Sequence, residues 1–295
     1  NESSQRHVRD RLLPAIMLWG GGMSIAKVSA PKSTMWVGQG KNPVALMRTS
    51  WTDSNAIYVA MKGGSVSVNH AHMDVGSFIM DANGVRWAMD FGSQEYESLE
   101  SKGIQLFGRT QDAQRWTVFR LTNLVHNTLT INNEHQRVTG HASITSSSNK
   151  PSFMNAVTDI TEVYKGQVAK AVRGVGIMNK QYVVVRDEIE TLPSETTLRW
   201  TMLTPADVKI TGANTAELTK NGKKLLLQVQ EPATVTMKTW STDPPHDYDA
   251  PNPGTMLVGF EVRLPANTKS AISVALIPAK AQKKATQKIE ALEKW

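Results

Sequence analysis

Ser77–Phe91 reads SFIMDANGVRWAMDF, and the fold is decided here. Asn83-Gly84 divides two β-type runs, Ser77–Asp81 and Val85–Phe91. Both turn residues tolerate positive φ, so the spacing predicts a two-residue hairpin. In the second run Val85, Trp87, Met89 and Phe91 alternate with Arg86, Ala88 and Asp90, which puts Asp90 opposite the bulky apolar set. Outward from this hairpin the pattern repeats. Ala56–Met61 stops at Gly63-Gly64, and Asn221-Gly222 marks a second hairpin. β-type runs recur at Asn123–Asn132, Phe153–Val163, Gln181–Glu188, Thr197–Thr201, Lys224–Val229, Thr234–Lys238, Met256–Val262 and Ser270–Ile277. Many short strands with turn signals between them predict an all-β chain: one large antiparallel two-sheet β-sandwich over residues 41–279.

The two ends differ from this body. Gln5–Trp19 carries Val8, Leu12 and Ile16 at helical spacing, with Pro14 as a kink and Gly20-Gly21-Gly22 as a stop. Residues 1–40 are therefore expected to be a short helical and loop remnant of something larger upstream. Residues 280–295 form a basic tail, either a surface helix or an irregular terminus. Two internal stretches resist strand assignment. Tyr96–Thr117 is a long polar excursion of the kind that often carries function. Thr242–Gly254 (TDPPHDYDAPNPG) is a Pro-rich loop.

Composition narrows the partners. The 295 residues carry a net charge of +7 and no cysteine. Disulfides and thiolate metal sites are excluded, so a metal must be held by His, Asp or Glu. The basic balance favours a polyanion. Helix-turn-helix, zinc-finger and Arg-rich-arm patterns are missing, which makes nucleic acid the weaker candidate. No apolar run approaches the roughly 20 residues of a membrane span.

The seven histidines are unevenly spread. His70 and His72 form H-x-H within Asn69–Asp74 (NHAHMD), and on an extended segment they share a face. Such a pair can supply a metal or catalytic site, but by itself it more often is a surface or hydrogen-bonded pair. Asp90 ends the hairpin's second strand, and His126 lies with Thr128 and Thr130 opposite Val125, Leu129 and Ile131. An ideal hairpin would set Asp90 across from Ser77, so His72 can meet Asp90 only if the chain bends near Gly76. Tyr96, Arg109 and Arg115 in the polar excursion are candidates to bind acidic sugar groups, or are ordinary loop residues.

Taken together, Lys62–Tyr96, with H-x-H-x-D, S-F, a Gly turn and Asp90-Phe91-Gly92 before Tyr96, resembles the signature of heparinase II/III-type polysaccharide lyases. His126-Asn127-Thr128 is similar to that family's H-N-T element, and Met47–Trp51 resembles the strand opening its sandwich. The resemblance is dense over Val44–Val138. It implies zinc on His72, Asp90 and His126, with His70 facing the substrate cleft as a catalytic residue. It also implies β-elimination of uronate-containing acidic polysaccharide by an exported, periplasmic or secreted, enzyme. The catalytic Tyr and the carboxylate-neutralising group are expected from an upstream α/α-toroid. Two rival expectations stand beside this: a non-catalytic zinc-stabilised sandwich that binds acidic glycan or supports a partner domain, and a metal-dependent hydrolase using the same three ligands.

Overall fold

Five short strands open the sandwich as an antiparallel meander: β1 (Met35–Gly38), β2 (Val44–Arg48), β3 (Tyr58–Lys62), β4 (Phe78–Ala82) and β5 (Val85–Ala88). The structure, a computed structural model, describes residues 12–24, 26, 28–284 and 287–295. Asn83 and Gly84 take φ of +56° and +73°, and the hairpin they make joins β4 to β5. Its register departs from the ideal. Ala82 pairs with Val85 and Asp81 with Arg86, but Met80 pairs with Ala88, so a bulge has entered. Bulges bend and twist the strand that carries them.

The chain continues through β6 (Leu129–Ile131), β7 (Ile144–Lys150), β8 (Phe153–Asp159), β9 (Lys170–Met178), β10 (Tyr182–Glu190) and β11 (Thr196–Thr204). It ends with β12 (Asp207–Gly212), β13 (Thr215–Lys220), β14 (Lys223–Glu231), β15 (Lys238–Trp240), β16 (Met256–Leu264) and β17 (Lys269–Pro278). One layer is an eight-stranded sheet in the order β12-β13-β14-β17-β10-β9-β8-β7. The other is divided into the β1–β5 sheet and a four-stranded sheet, β15-β16-β11-β6. Every strand pair in these sheets is antiparallel. The two parts of the divided layer meet where Met89 N–H donates to Leu203 O at 3.0 Å.

The core lies between the layers. Ala45, Met47, Val59 and Met61 of β2 and β3 pack into one cluster with Ala156, Val175, Val183 and Val185 of the eight-stranded sheet. Phe78, Trp200 and Phe260 stack across β4, β11 and β16, with ring centroids 6.2 and 6.0 Å apart, and so tie the divided layer together. The central strands are buried on both faces, because the C-terminal tail covers the outside of the eight-stranded sheet. Ile289 joins Val184, Ala275 and Ile277 in a second cluster, and Trp295 meets Phe153 edge-on at 4.8 Å. Gly174 makes room for it: a Cβ there would stand 2.4 Å from Leu292 and 2.6 Å from the Trp295 ring.

The chain divides into two compact units, Asn1–Lys32 and Ser33–Trp295. In the first, α1 (Leu13–Trp19) begins with Pro14 in its first turn, where the missing N–H costs nothing, and ends at Gly20. The remainder of the expected Gln5–Trp19 helix, Gln5–Arg11, lies outside the described residues. No helix among the described residues is long and apolar enough to cross a membrane.

Candidate functional site

After β3 the chain runs through NHAHMD and turns at Gly76, whose φ is +81°. This is the bend that brings His72 toward Asp90. Two buried side chains hold it. Gln136 brackets Val75, accepting its N–H at 3.1 Å and donating to its carbonyl at 2.8 Å. Arg173 of β9 donates to Gly76 O at 3.0 Å and to Asn127 O at 2.8 Å, while Asp187 of β10 binds its other nitrogens at 2.6 and 3.0 Å. Asn127, fully buried, donates to Phe78 O and Met89 O and accepts from Leu203 N–H. One amide therefore closes the gap between the two halves of the divided layer.

This bracing sets His126 beside Asp90 and His72. His126 is fully buried, and its Nδ1 lies 2.6 Å from Asp90 Oδ2. Asp90 Oδ1 accepts from Gly92 N–H at 2.7 Å. The His72 and His126 rings stand 5.5 Å apart. Burial opposes charge on Asp90, but His126 and the Gly92 N–H hold its carboxyl well below the usual carboxylate range. Burial likewise pushes His126 down, yet the Asp90 carboxylate outweighs it and raises the imidazole. His72, desolvated and facing His126, is lowered to about 4 and is neutral at pH 7.

The donor set fits zinc in kind: two imidazoles and one carboxylate. His126 Nε2 is buried without a hydrogen-bond partner among the described residues. A proton there would be a buried N–H with no acceptor, whereas a lone pair there is a free metal donor. The spacing adds a distinction. Among the described residues no group of three or more His, Asp or Glu is arranged to hold an ion as it stands. The 2.6 Å between His126 and Asp90 is that of a hydrogen bond, while two donors of one tetrahedral zinc stand about 3.3 Å apart. Asp90 thus occupies the place of a carboxylate that orients a metal-binding His through its far nitrogen.

Above these three residues opens a cleft of about 830 Å³ lined by His70, His72, Tyr96, Phe107, Arg109 and Arg115, among others. All five cleft-side candidates of the sequence reading are together here, and Asp90 and His126 lie beneath His72. His70 has φ +60° and is exposed; its Nδ1 lies 2.7 Å from the Tyr96 hydroxyl, with the two ring planes nearly parallel. Tyr96 opens α2 (Tyr96–Glu100), and Phe107 meets it edge-on at 5.7 Å. Arg109 donates to Asn69 Oδ1 at 2.7 Å. Arg115 lies over the Trp116 ring and donates to Ala71 O, the peptide between the two histidines. Burial lowers the Arg115 pKa.

The excursion that carries these groups is anchored by the Pro-rich loop. Gln94 donates to Tyr248 O and accepts from Ala250 N–H, Asp249 accepts from Phe119 N–H, and Arg120 binds Asn252. His246 of this loop stacks on Tyr248 and lies 3.0 Å from Asp249. Sequence reasoning missed Gln94, Gln136, Arg173 and Asp187 as site-builders. Arg173 and Asp187 did leave a signal, being charges inside the apolar runs of β9 and β10.

The model of the Heparinase II/III-like, C-terminal family matches residues 44–284. Solved structures agree in fold. The heparan sulfate lyase HepC from Pedobacter heparinus superposes with a TM-score of 0.70 at 15% identity, over 90% of this chain and 40% of that one. A heparinase III gene product gives 0.69 at 20% identity, over 94% and 42%, and another heparinase III gives 0.67 at 17%, over 85% and 37%. The chain spans about two fifths of the length of these structures. No curated protein sequence matches it. By the family match across most of its length, the chain belongs to the Heparinase II/III-like, C-terminal family.

Proposed function

We propose that this sandwich forms one wall of the cleft of a polysaccharide lyase that cuts uronate-containing acidic polysaccharide by β-elimination. The observation that carries the reading is the His70–Tyr96 pair, 2.7 Å apart on the cleft wall with Arg109 and Arg115 beside it. In the reaction a base takes the proton from the carbon bearing the carboxylate. Its electron pair becomes a carbon–carbon double bond as the glycosidic C–O bond breaks, and the leaving oxygen is protonated. The uronate must be neutralised for the carbanion-like state to form. His70 moves a proton or hydrogen-bonds the uronate, since an imidazole carries both a donor and an acceptor nitrogen. Tyr96 fixes the His70 ring and meets the sugar, and Arg109 and Arg115 attract the acidic groups. The catalytic Tyr and the neutralising group come from an upstream α/α-toroid, the partner domain of this wall.

Zinc belongs to the same proposal. His72 and His126 would hold it, with Asp90 orienting His126, and the ion would tie the NHAHMD segment to the H-N-T loop. The test is ultraviolet absorbance of the unsaturated uronate product, with this chain, the full-length protein and full-length His70→Ala. The chain alone is expected to be nearly inactive, and His70→Ala to lose on the order of 10²–10⁴-fold. Robust elimination by the isolated chain would overturn the half-site reading. Wild-type turnover by His70→Ala would overturn the role of His70.

A further inference from the structure

The outer face of the β1–β5 sheet carries a second groove, of about 910 Å³, that shares no lining residue with the cleft. It lies at the Tyr58 end of β3, whereas the NHAHMD segment leaves from the Lys62 end. Register builds its floor. Arg48 pairs with Tyr58, Tyr58 with Asp81, and Asp81 with Arg86, so four polar side chains form one row across β2, β3, β4 and β5. At the usual strand spacing the row is about 14 Å long. Trp51 stands over one end, 44% exposed, with its indole N–H fixed to Ser33 O at 2.8 Å and the Arg48 guanidinium stacked 4.2 Å from its ring centre.

The groups in this row differ in what they have left to offer. Arg86 and Asp81 satisfy each other in a bidentate pair. Asp53 at the rim turns inward to cap its own loop at Asn55 N–H. Arg48 differs: among the described residues only its Nε is committed, to Ser50 O at 2.6 Å, and it has no carboxylate partner. The Tyr58 hydroxyl lies near Arg48, Asp81 and Arg86 and makes no hydrogen bond among the described residues. An open row with a fixed indole wall, an uncompensated guanidinium and a free phenol is complementary to a sugar ring bearing a carboxylate: the ring's apolar face against Trp51, the acid on Arg48 and Tyr58.

We propose that this groove is a second saccharide site, separate from the cleft, that holds a carboxylate-bearing unit of the same polysaccharide. The choice of polymer rests on the lyase reading; the carboxylate preference rests on Arg48 and Tyr58. The experiment measures affinity of the full chain by titration calorimetry for a heparin-derived tetrasaccharide, with maltotetraose as the neutral control. The proteins are wild type, the cleft variant His70→Ala/Arg109→Ala, and the cleft variant carrying Trp51→Ala, Arg48→Gln or Arg48→Lys. The cleft variant is expected to keep binding the tetrasaccharide. Arg48→Gln should then weaken it about tenfold or more, as loss of a charge-assisted hydrogen bond implies, with Arg48→Lys recovering part of the loss. Trp51→Ala should weaken it as well, and if that variant does not fold, the Arg48 pair decides alone. Loss of all binding in the cleft variant, or unchanged affinity in Arg48→Gln, would overturn the second site. Equal affinity for maltotetraose would overturn the carboxylate preference. Binding that depends on Arg48 in a full-length protein with no elimination activity would leave this site standing and sink the lyase reading instead.

Discussion

Asp187→Asn tests the bracing of the site directly. Arg173 and Asp187 are 1% and 0% exposed, and their two bonds are 2.6 and 3.0 Å long. Removing one charge of such a pair leaves the other buried without compensation, which costs about 3–5 kcal/mol. At about 2–4 °C per kcal/mol for a domain of this size, the melting temperature should fall by roughly 6–20 °C. A surface pair gives the contrast. Lys294 and Glu290 are 62% and 60% exposed, and Glu290→Gln should leave the melting temperature nearly unchanged. The double variant Arg173→Met/Asp187→Leu separates charge from bracing. It removes both charges, so it should recover much of the stability lost in the single variant. It strips the donor from Gly76 O and Asn127 O, so it should bind zinc more weakly than wild type. The assays are urea unfolding and zinc titration against a competing chelator. Asp187→Asn within about 1 kcal/mol of wild type would refute the buried-charge argument, and full zinc affinity in the double variant would refute the claim that Arg173 positions the site.

Three further outcomes follow from the site. Purified protein should carry about one zinc per chain by elemental analysis; His72→Ala should lose it, His70→Ala should keep it, and Asp90→Asn should weaken it about 10–100-fold if Asp90 orients His126 but abolish it if Asp90 is a ligand. In chelator-treated protein His72 has a folded pKa of about 4, below the unfolded value of 6.5. The unfolded state therefore binds more protons between these values, and stability should be full above pH 6.5 and fall toward pH 4, by on the order of 2–3 kcal/mol from this residue, with His72→Gln losing that slope in urea unfolding. Gln94→Ala should cost about 1–3 kcal/mol by leaving buried groups of the Pro-rich loop unpaired, and it should weaken acidic tetrasaccharide binding in the cleft; unchanged stability would mean the loop does not depend on it.

The hairpin was legible because Asn-Gly is a local signal, and the same holds for the strand-rich pattern around it. The candidate residues were legible as types and spacings, but their meeting was not. His72, Asp90 and His126 come together through Gln136, Arg173, Asp187 and Asn127, which act from up to 115 positions away in the chain (Asp187 relative to His72). No local pattern ties a charge in β10 to a bend at Gly76. β9 was missed for a related reason: Gly174 and Gly176 weaken a strand signal, and their purpose appears only when the Leu292 and Trp295 side chains lie against Gly174 and the Phe153 ring lies against Gly176. The tail was ambiguous because its apolar residues are sparse, and a sheet face already in place is what gives them order.

The division of the first layer explains why a site exists at this place at all. In an unbroken hairpin Asp90 would continue β5 opposite Ser77 and spend its backbone on β4. The bulge at Met80/Asp81 ends that pairing at Ala88. Met89 then turns its N–H to Leu203 on β11, so the next residues leave one half-sheet for the other. A gap of this kind exposes backbone groups that must be paired, and Asn127 pairs three of them at once. Its neighbour His126 is carried into the same gap, and Asp90 is released from the ladder to meet it. An apolar residue in place of Asn127 would leave Phe78 O, Met89 O and Leu203 N–H without these partners, at about 1–3 kcal/mol each. The residue between His126 and Thr128 is thus constrained by the sheet on one side and the histidine on the other, which is why the H-N-T triplet reads as one element: its His serves the site, its Asn joins the half-sheets, and Thr128, by donating to Val75 O at 2.7 Å, fixes the bend that brings His72 in.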